Sequence, residues 1–180
     1  MKNQILETFP SFPEEVVDQW LVPFAEDEGW PPVETQGSLT GRWRYLLGTK
    51  TNLAFWKKLE WEKEEIELKI ELLDDSSKTQ ISGIITSATM EVENMFSMTM
   101  PDLKARFERS LNFISEHGSM PLAPVLVNTD GNYRIMDGNH RIAAYLYCIC
   151  GMNGMHGVEL TTPPIKIQPI WVGRTPIQSR

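Results

Sequence analysis

The segment Tyr133-Arg134-Ile135-Met136-Asp137-Gly138-Asn139-His140-Arg141-Ile142-Ala143-Ala144 constrains the fold more than any other stretch of the chain. A β-rich run ends in Asp137, Gly138 supplies a tight turn, and an apolar helical run starts at once. A helix that begins this way leaves free N–H groups and the positive end of its dipole at the turn, which is a ready anion site. Gly138 admits a ligand close to the backbone. His140 and Arg141 add donors for phosphate oxygens, and arginine can grip two at once. Asp137 stands where it could hold a divalent metal, orient His140 or act as a base. Taken singly, each residue has an ordinary role: Asp137 as a helix cap, Arg141 in an ion pair, His140 on the surface. Four polar groups set between an apolar strand and an apolar helix favour function.

The flanks extend this frame. Thr99-x-x-Asp102 has the spacing of a capping box, with Asp in place of Glu, and Leu103, Phe107, Leu111 and Ile114 line one face of a following helix. That helix should stop at Gly118, with His117 near its end. Ala123–Asn128 reads as a strand, Thr129–Asn132 as a turn, and Tyr133–Asp137 as a second strand. The next helix should run from Asn139 to Cys150 and close at Gly151, with Gly151–Thr162 as loop. Ile165–Val172 should be the last strand, placed at an edge or bulge by Pro169.

The N-terminal half is less regular. Pro13–Leu21 reads as a short helix burying Val16, Val17, Trp20 and Leu21, Gly29–Leu39 as loop, and Trp43–Leu47 as a strand. Thr51–Leu73 reads as one long helix on the stripe Leu53, Trp56, Leu59, Ile66, Ile70 and Leu73. The alternation Ile66, Leu68, Ile70, Leu72 supports a strand instead. Asp74–Ser77 is a break, and Ile81, Ile84, Ile85, Ala88 and Val92 give another helical stripe. Gly41-Arg42-Trp43-Arg44-Tyr45, with Lys50, Lys57 and Lys58, interleaves basic and aromatic residues as single-strand-binding surfaces do, although tryptophan is more often core.

Composition sets outer limits. With 41% hydrophobic and 23% charged residues the chain is ordinary for a globular protein. Its net charge of −7 argues against a protein that coats DNA through many Lys/Arg–phosphate contacts. The N-terminus lacks signal-peptide character, no apolar stretch spans a bilayer, and Cys148 and Cys150 fit reduced thiols rather than a metal set. A cytoplasmic protein with no membrane segment is expected. His117 and His156 have no partners at metal spacing.

Ile-Met-Asp-Gly-Asn-His-Arg-Ile-Ala-Ala, preceded by a helix, a strand and a Gly-containing turn, resembles the ParB/sulfiredoxin superfamily over roughly Met98–Val172. The resemblance implies an α/β (α+β) fold: a ParB/sulfiredoxin-like phosphate- and nucleotide-binding domain over 91–180, with a mainly helical N-terminal portion over 1–90 packed on it. Members of the superfamily bind nucleotide phosphates with this turn. Some hydrolyse ATP or CTP, some cleave DNA, one group phosphorylates a small molecule, and sulfiredoxin repairs an oxidised cysteine. Asn139 stands where sulfiredoxin carries its catalytic cysteine, and Cys148 and Cys150 lie too far along the helix to replace it. ParB proteins have Glu-Arg-Arg in place of Asn139-His140-Arg141 and a helix-turn-helix domain beyond the fold, where this chain has only Gly173–Arg180. Neither sulfinic acid repair nor site-specific partitioning is expected.

The resemblance also implies an acidic residue upstream of the first helix of the domain. Glu91 and Glu93 lie at about the right distance, and Glu93 is the candidate partner of Asp137. The expected function is a nucleotide-binding phosphohydrolase, an ATPase and metal-dependent DNA nuclease using ATP (or another nucleotide) and Mg²⁺. Gly138, Asn139, His140 and Arg141 would hold phosphate. Asp137 and Glu93 would bind metal or activate water. Its size suits a plasmid fertility-inhibition protein that blocks DNA transfer. The alternatives are a small-molecule kinase of the free-serine type, and a non-catalytic nucleotide-sensing module that docks a protein partner through the Trp-rich N-terminal half. Lys104, Arg106 and Arg109 either flank the phosphate site or form the solvent face of their helix.

Overall fold

The computed structural model describes residues 1–47, 52–90, 92–150 and 160–176. It is a mixed α+β structure with a small mixed sheet. The chain divides into two compact units, Met1–Lys63 with Trp171–Arg180 and Glu64–Ile170. The expected division at residues 90/91 falls inside the second of these.

The first unit opens with α1 (Lys2–Thr8). A continuous helical run follows, made of α2 (Glu14–Val16), a π-helical turn (Val17–Leu21) and α3 (Val22–Glu28). The predicted helix Pro13–Leu21 therefore continues past Pro23. Proline lacks an N–H and its ring crowds the carbonyl four residues back. The wider turn, in which the Val22 N–H donates to the Val17 carbonyl, lies where that crowding would fall. Val16, Val17, Trp20 and Leu21 are all buried, as their spacing predicted.

Three N-terminal expectations need correction. Gly29–Leu39 is not all loop: β1 (Glu34–Thr35) and β2 (Ser38–Leu39) pair through Gln36 and Gly37, both at positive φ. Trp43–Leu47 is not a strand but α4 (Trp43–Leu46). The Trp43 indole N–H donates to the Gly29 carbonyl at 3.2 Å and its ring meets Trp30 edge-on, so the seating of one aromatic overrides β propensity. Thr51–Leu73 is not one helix. It splits into α5 (Leu53–Trp56), β3 (Glu60–Glu67) and a 3₁₀ turn (Ile70–Leu72). Asn52 caps α5 by accepting the Phe55 N–H, and in β3 Glu64 and Ile66 are half-buried between exposed neighbours.

The four-stranded sheet has the order β3-β6-β4-β5, with β4 (Val125–Thr129), β5 (Asn132–Asp137) and β6 (Ile167–Arg174). β3 and β6 each run through the division between the units. The edge position that Pro169 suggested is incorrect, because β3, read from sequence as helix, supplies the outer strand beside β6.

The second unit follows its hydrophobic pattern closely. In α6 (Asp75–Met90) Ile81, Ile84 and Ala88 are buried, and Val92 lies exposed beyond its end. The short helix α7 (Met95–Thr99) was not foreseen. Asn94 accepts the Phe96 and Ser97 N–H groups while Ser97 Oγ accepts the Asn94 N–H, so the capping box forms here and not at Thr99–Asp102. Asp102 precedes α8 (Leu103–His117) without a side-chain cap. Leu103, Phe107, Leu111 and Ile114 bury the predicted face of α8, which ends at left-handed Gly118. α9 (Asn139–Ile149) packs against both α8 and α6, and every residue from Ile142 to Cys148 is buried. Burial of that helix fixes where its first turn points.

Candidate phosphate site

β4 and β5 form an antiparallel hairpin turned by Asp130 and Gly131, at φ 54° and 88°, the mirror-type turn that a two-residue Asp-Gly loop favours. Leu126 faces Ile135, but Val125 faces Asp137, so Met136 is an extra residue on β5. In an unbroken strand Asp137 would share the face of buried Ile135. The bulge takes it off that face and aims it at the turn.

The free edge of β5 is closed by the start of α6. Leu73 bridges Tyr133, and the Asp74 N–H donates to the Tyr133 carbonyl at 2.8 Å. Asp74 accepts the Ser77 N–H at 2.8 Å through one oxygen and Arg134 Nε at 2.7 Å through the other, while Ser77 Oγ accepts the Ile135 N–H. Sequence reading assigned no role to Asp74, Ser77 or Arg134. They anchor the strand that ends in Asp137, and hydrogen bonds together with Arg134 pull the Asp74 pKa down against its burial.

Gly138 follows at φ 93°. A Cβ there would stand 2.8 Å from Pro124 Cβ, 2.9 Å from Arg141 Nη2 and 3.0 Å from Arg141 Nε. The notch that glycine leaves is thus filled by Pro124 and by the Arg141 guanidinium, which folds back across the turn. Arg141 Nη2 donates to Asp137 Oδ2, and both side chains are mostly shielded, at 13% and 27% exposure. The Gly138 N–H lies next to Asp137 and favours its charged form. Burial raises its pKa, against the pull of Arg141 and that N–H, so its charge leans on the arginine. One ordinary role considered from sequence is met, since Arg141 is in an ion pair with Asp137; Asp137 does not cap α9.

No side chain caps α9. His140, in its first turn, is half-buried, and its Nε2 and the Oδ1 of Asn139 are buried without a hydrogen-bond partner among the described residues. Burial depresses the His140 pKa to about 4, helped by the positive charges of Arg106, Arg109 and Arg141, so its imidazole is neutral at pH 7. Arg106 and Arg109 project from α8, are exposed, and make no ion pair among the described residues. The charges of three arginines thus bear on one neutral imidazole in the first turn of α9. The α8–α9 packing that brings Arg106 and Arg109 there left no local signal in the sequence.

Glu93 is exposed on the segment between α6 and α7 and makes no hydrogen bond or ion pair among the described residues. Glu91, Lys50, His156 and most of the Gly151–Thr162 segment lie outside them. No three His, Cys, Asp or Glu side chains among the described residues form a metal set. A hard cation such as Mg²⁺ is commonly held by one or two carboxylates plus the phosphates of a substrate, so Asp137 fits as protein ligand only if it parts from Arg141. His117 sits on the Phe113 carbonyl and stacks on that ring, Cys148 is buried with its thiol pushed up to about 11, and Cys150 is exposed. In the Arg42–Tyr45 segment Trp43 is core, Arg42 pairs with Glu28, and Tyr45 stands exposed. No described helix is long and apolar enough to cross a membrane.

No protein-family model, curated protein or solved structure matches the chain.

Proposed function

We propose that the β5–α9 turn binds the phosphates of a nucleotide and serves a phosphohydrolase, hydrolysing ATP and, with Mg²⁺, cleaving DNA. The observation that carries this reading is the start of α9: no side chain caps it, Asn139 Oδ1 and His140 Nε2 are buried there without a partner among the described residues, and the charges of Arg106, Arg109 and Arg141 bear on neutral His140. An anion there meets backbone N–H groups, the positive helix end and arginine donors together. The buried Nε2 of His140 gains the partner it lacks among the described residues. Gly138 keeps the backbone open to an oxygen once the Arg141 side chain turns outward.

Phosphoryl transfer is largely a matter of positioning and charge stabilisation. In this reading Arg141, Arg106 and Arg109 hold the phosphate and take up the charge that develops on its oxygens. His140, neutral, donates or accepts one hydrogen bond. Asp137, freed from Arg141, orients the attacking water or holds the cation. Mg²⁺, when bound, would neutralise phosphate charge and sharpen the electrophile. The ParB/sulfiredoxin resemblance of the motif points the same way, and a role in blocking plasmid transfer belongs to this proposal.

ATP hydrolysis and DNA degradation, measured with and without Mg²⁺ for the wild type, Arg141→Ala and Asp137→Ala, test it. Metal-dependent turnover lost in both variants supports it. Intact DNA and unconsumed ATP in the wild type refute it.

A second reading, phosphate binding without turnover, is favoured by the Asp137–Arg141 pair and by the isolation of Glu93, because no carboxylate stands free at the turn among the described residues. It predicts that nucleotide binds and is released unchanged.

A further inference from the structure

In the structure the arginine nearest the turn is not available to a ligand. The Arg141 guanidinium lies in the notch of Gly138, against the backbone that an incoming oxygen would approach, and its Nη2 is held by Asp137. Arg106 and Arg109 have no such partner among the described residues. The pair is local, four residues apart at the start of a helix, so it needs no distant rearrangement to open. The Asp137 carboxylate offers Arg141 the oxygen chemistry that a ligand phosphate would offer.

We infer that Asp137 is an internal competitor for the phosphate site: it occupies Arg141 in the free protein, and a ligand must displace it before Arg141 can grip phosphate. This rests on the phosphate-binding reading above and adds regulation to that site. The free site is self-closed, with Asp137 and Arg141 satisfying one another. Binding exchanges one charge-assisted hydrogen bond for another, and the site gives up the part of its intrinsic affinity that the internal pair consumes. The bulge at Met136 gives Asp137 its aim at Arg141.

This differs from what a metal ligand or general base predicts. If Asp137 only holds a cation or activates water, its removal leaves metal-free phosphate affinity unchanged. If it helps to position Arg141 for the ligand, removal weakens affinity. Competition makes removal tighten it, by a gain that depends on Arg141. Partly shielded ion pairs of this kind are worth on the order of three- to tenfold in an equilibrium.

The test is calorimetric titration of the full chain with tripolyphosphate and with ADP, in EDTA, for the wild type, Asp137→Asn, Asp137→Ser, Arg141→Gln and the Asp137→Asn/Arg141→Gln double variant. We expect Asp137→Asn to bind about three- to tenfold more tightly than wild type, and the gain to vanish in the Arg141→Gln background. Asp137→Ser is the second route should the amide fail to fold. Affinity equal to or weaker than wild type in a folded Asp137 variant overturns the inference while the phosphate-site reading stands. A gain that persists undiminished without Arg141 also overturns it, since it would reflect bulk charge. Absence of binding in every protein, Asp137 variants included, sinks the phosphate-site reading and this inference together.

Discussion

Replacing Gly138 by alanine, side by side with the same change at Gly131, separates two costs that a single substitution would merge. Both glycines have φ near 90°, at 93° and 88°. Alanine at either position therefore meets a left-handed backbone that costs about 1–2 kcal/mol. Their surroundings differ. A Cβ at Gly131 has nothing within 4 Å, whereas one at Gly138 stands 2.8 Å from Pro124 Cβ and within 3.0 Å of the Arg141 guanidinium. Arg141 can swing aside at the expense of its pair with Asp137. Pro124 is buried and tied to the backbone by its ring, so it has little room to give. Overpacking of this kind adds about 1–3 kcal/mol. Gly138→Ala should thus lose about 1–3 kcal/mol more than Gly131→Ala. Urea unfolding followed by circular dichroism is the assay. Trp fluorescence is the wrong probe, because all six tryptophans lie in the first compact unit and both glycines in the second. Equal losses at the two positions would refute the claim that Pro124 and Arg141 close over the turn.

Three further predictions follow from particular contacts. His140, with its pKa lowered from 6.5 to about 4, is neutral in the folded chain where the unfolded chain takes up a proton, so stability should fall as pH drops from about 6.5 toward 4. The ceiling is about 3 kcal/mol, or roughly half of that after solvent screening. Asp137, its pKa raised, contributes with the opposite sign, so the comparison to make is wild type against His140→Gln, which should flatten the fall in urea midpoints between pH 7 and 5; parallel curves would sink the argument. Converting Arg106 and Arg109 to glutamine should raise the His140 pKa in an NMR titration of the imidazole, and an unmoved pKa would mean that their charges do not reach it. Gly83→Ala, which in an ordinary helix interior stabilises by about 1 kcal/mol, should destabilise here by about 1–3 kcal/mol, because its Cβ would stand 2.2 Å from the Phe96 ring; relief of that loss in a Gly83→Ala/Phe96→Ala background, measured by denaturation, checks the cause.

The second unit was legible in the sequence where one physical signal dominated. The stripe Leu103, Phe107, Leu111 and Ile114 and the stop at Gly118 marked α8, and Asp130-Gly131 between two β-rich runs marked the hairpin. The N-terminal half misled because signals conflicted. Glu- and Lys-rich β3 has helical composition, and sheet pairing overrode it. Aromatic Trp43–Leu47 has strand composition, and the seat of Trp43 against Gly29 and Trp30 overrode that. At the site, the turn and its residues were visible, but their relations were not. The bulge at Met136 has no marker in the residues themselves. The approach of Arg106 and Arg109 to His140 depends on how α8 packs on α9, which periodicity does not encode.

The pairing of Asp137 with Arg141 bears on how such a turn is to be read for chemistry. An acid and a base four residues apart at the head of a helix neutralise each other by default, and the pair forms whether or not the site has work to do. What the pair leaves over is positive charge. Once Asp137 and Arg141 cancel, the charges of Arg106 and Arg109, neither in an ion pair among the described residues, still act on a neutral imidazole at the start of α9. Like charges gathered around a helix N-terminus destabilise the free protein unless an anion compensates them. On the phosphate-binding reading proposed above, a bound anion would offset this local positive charge in a chain whose net charge is −7.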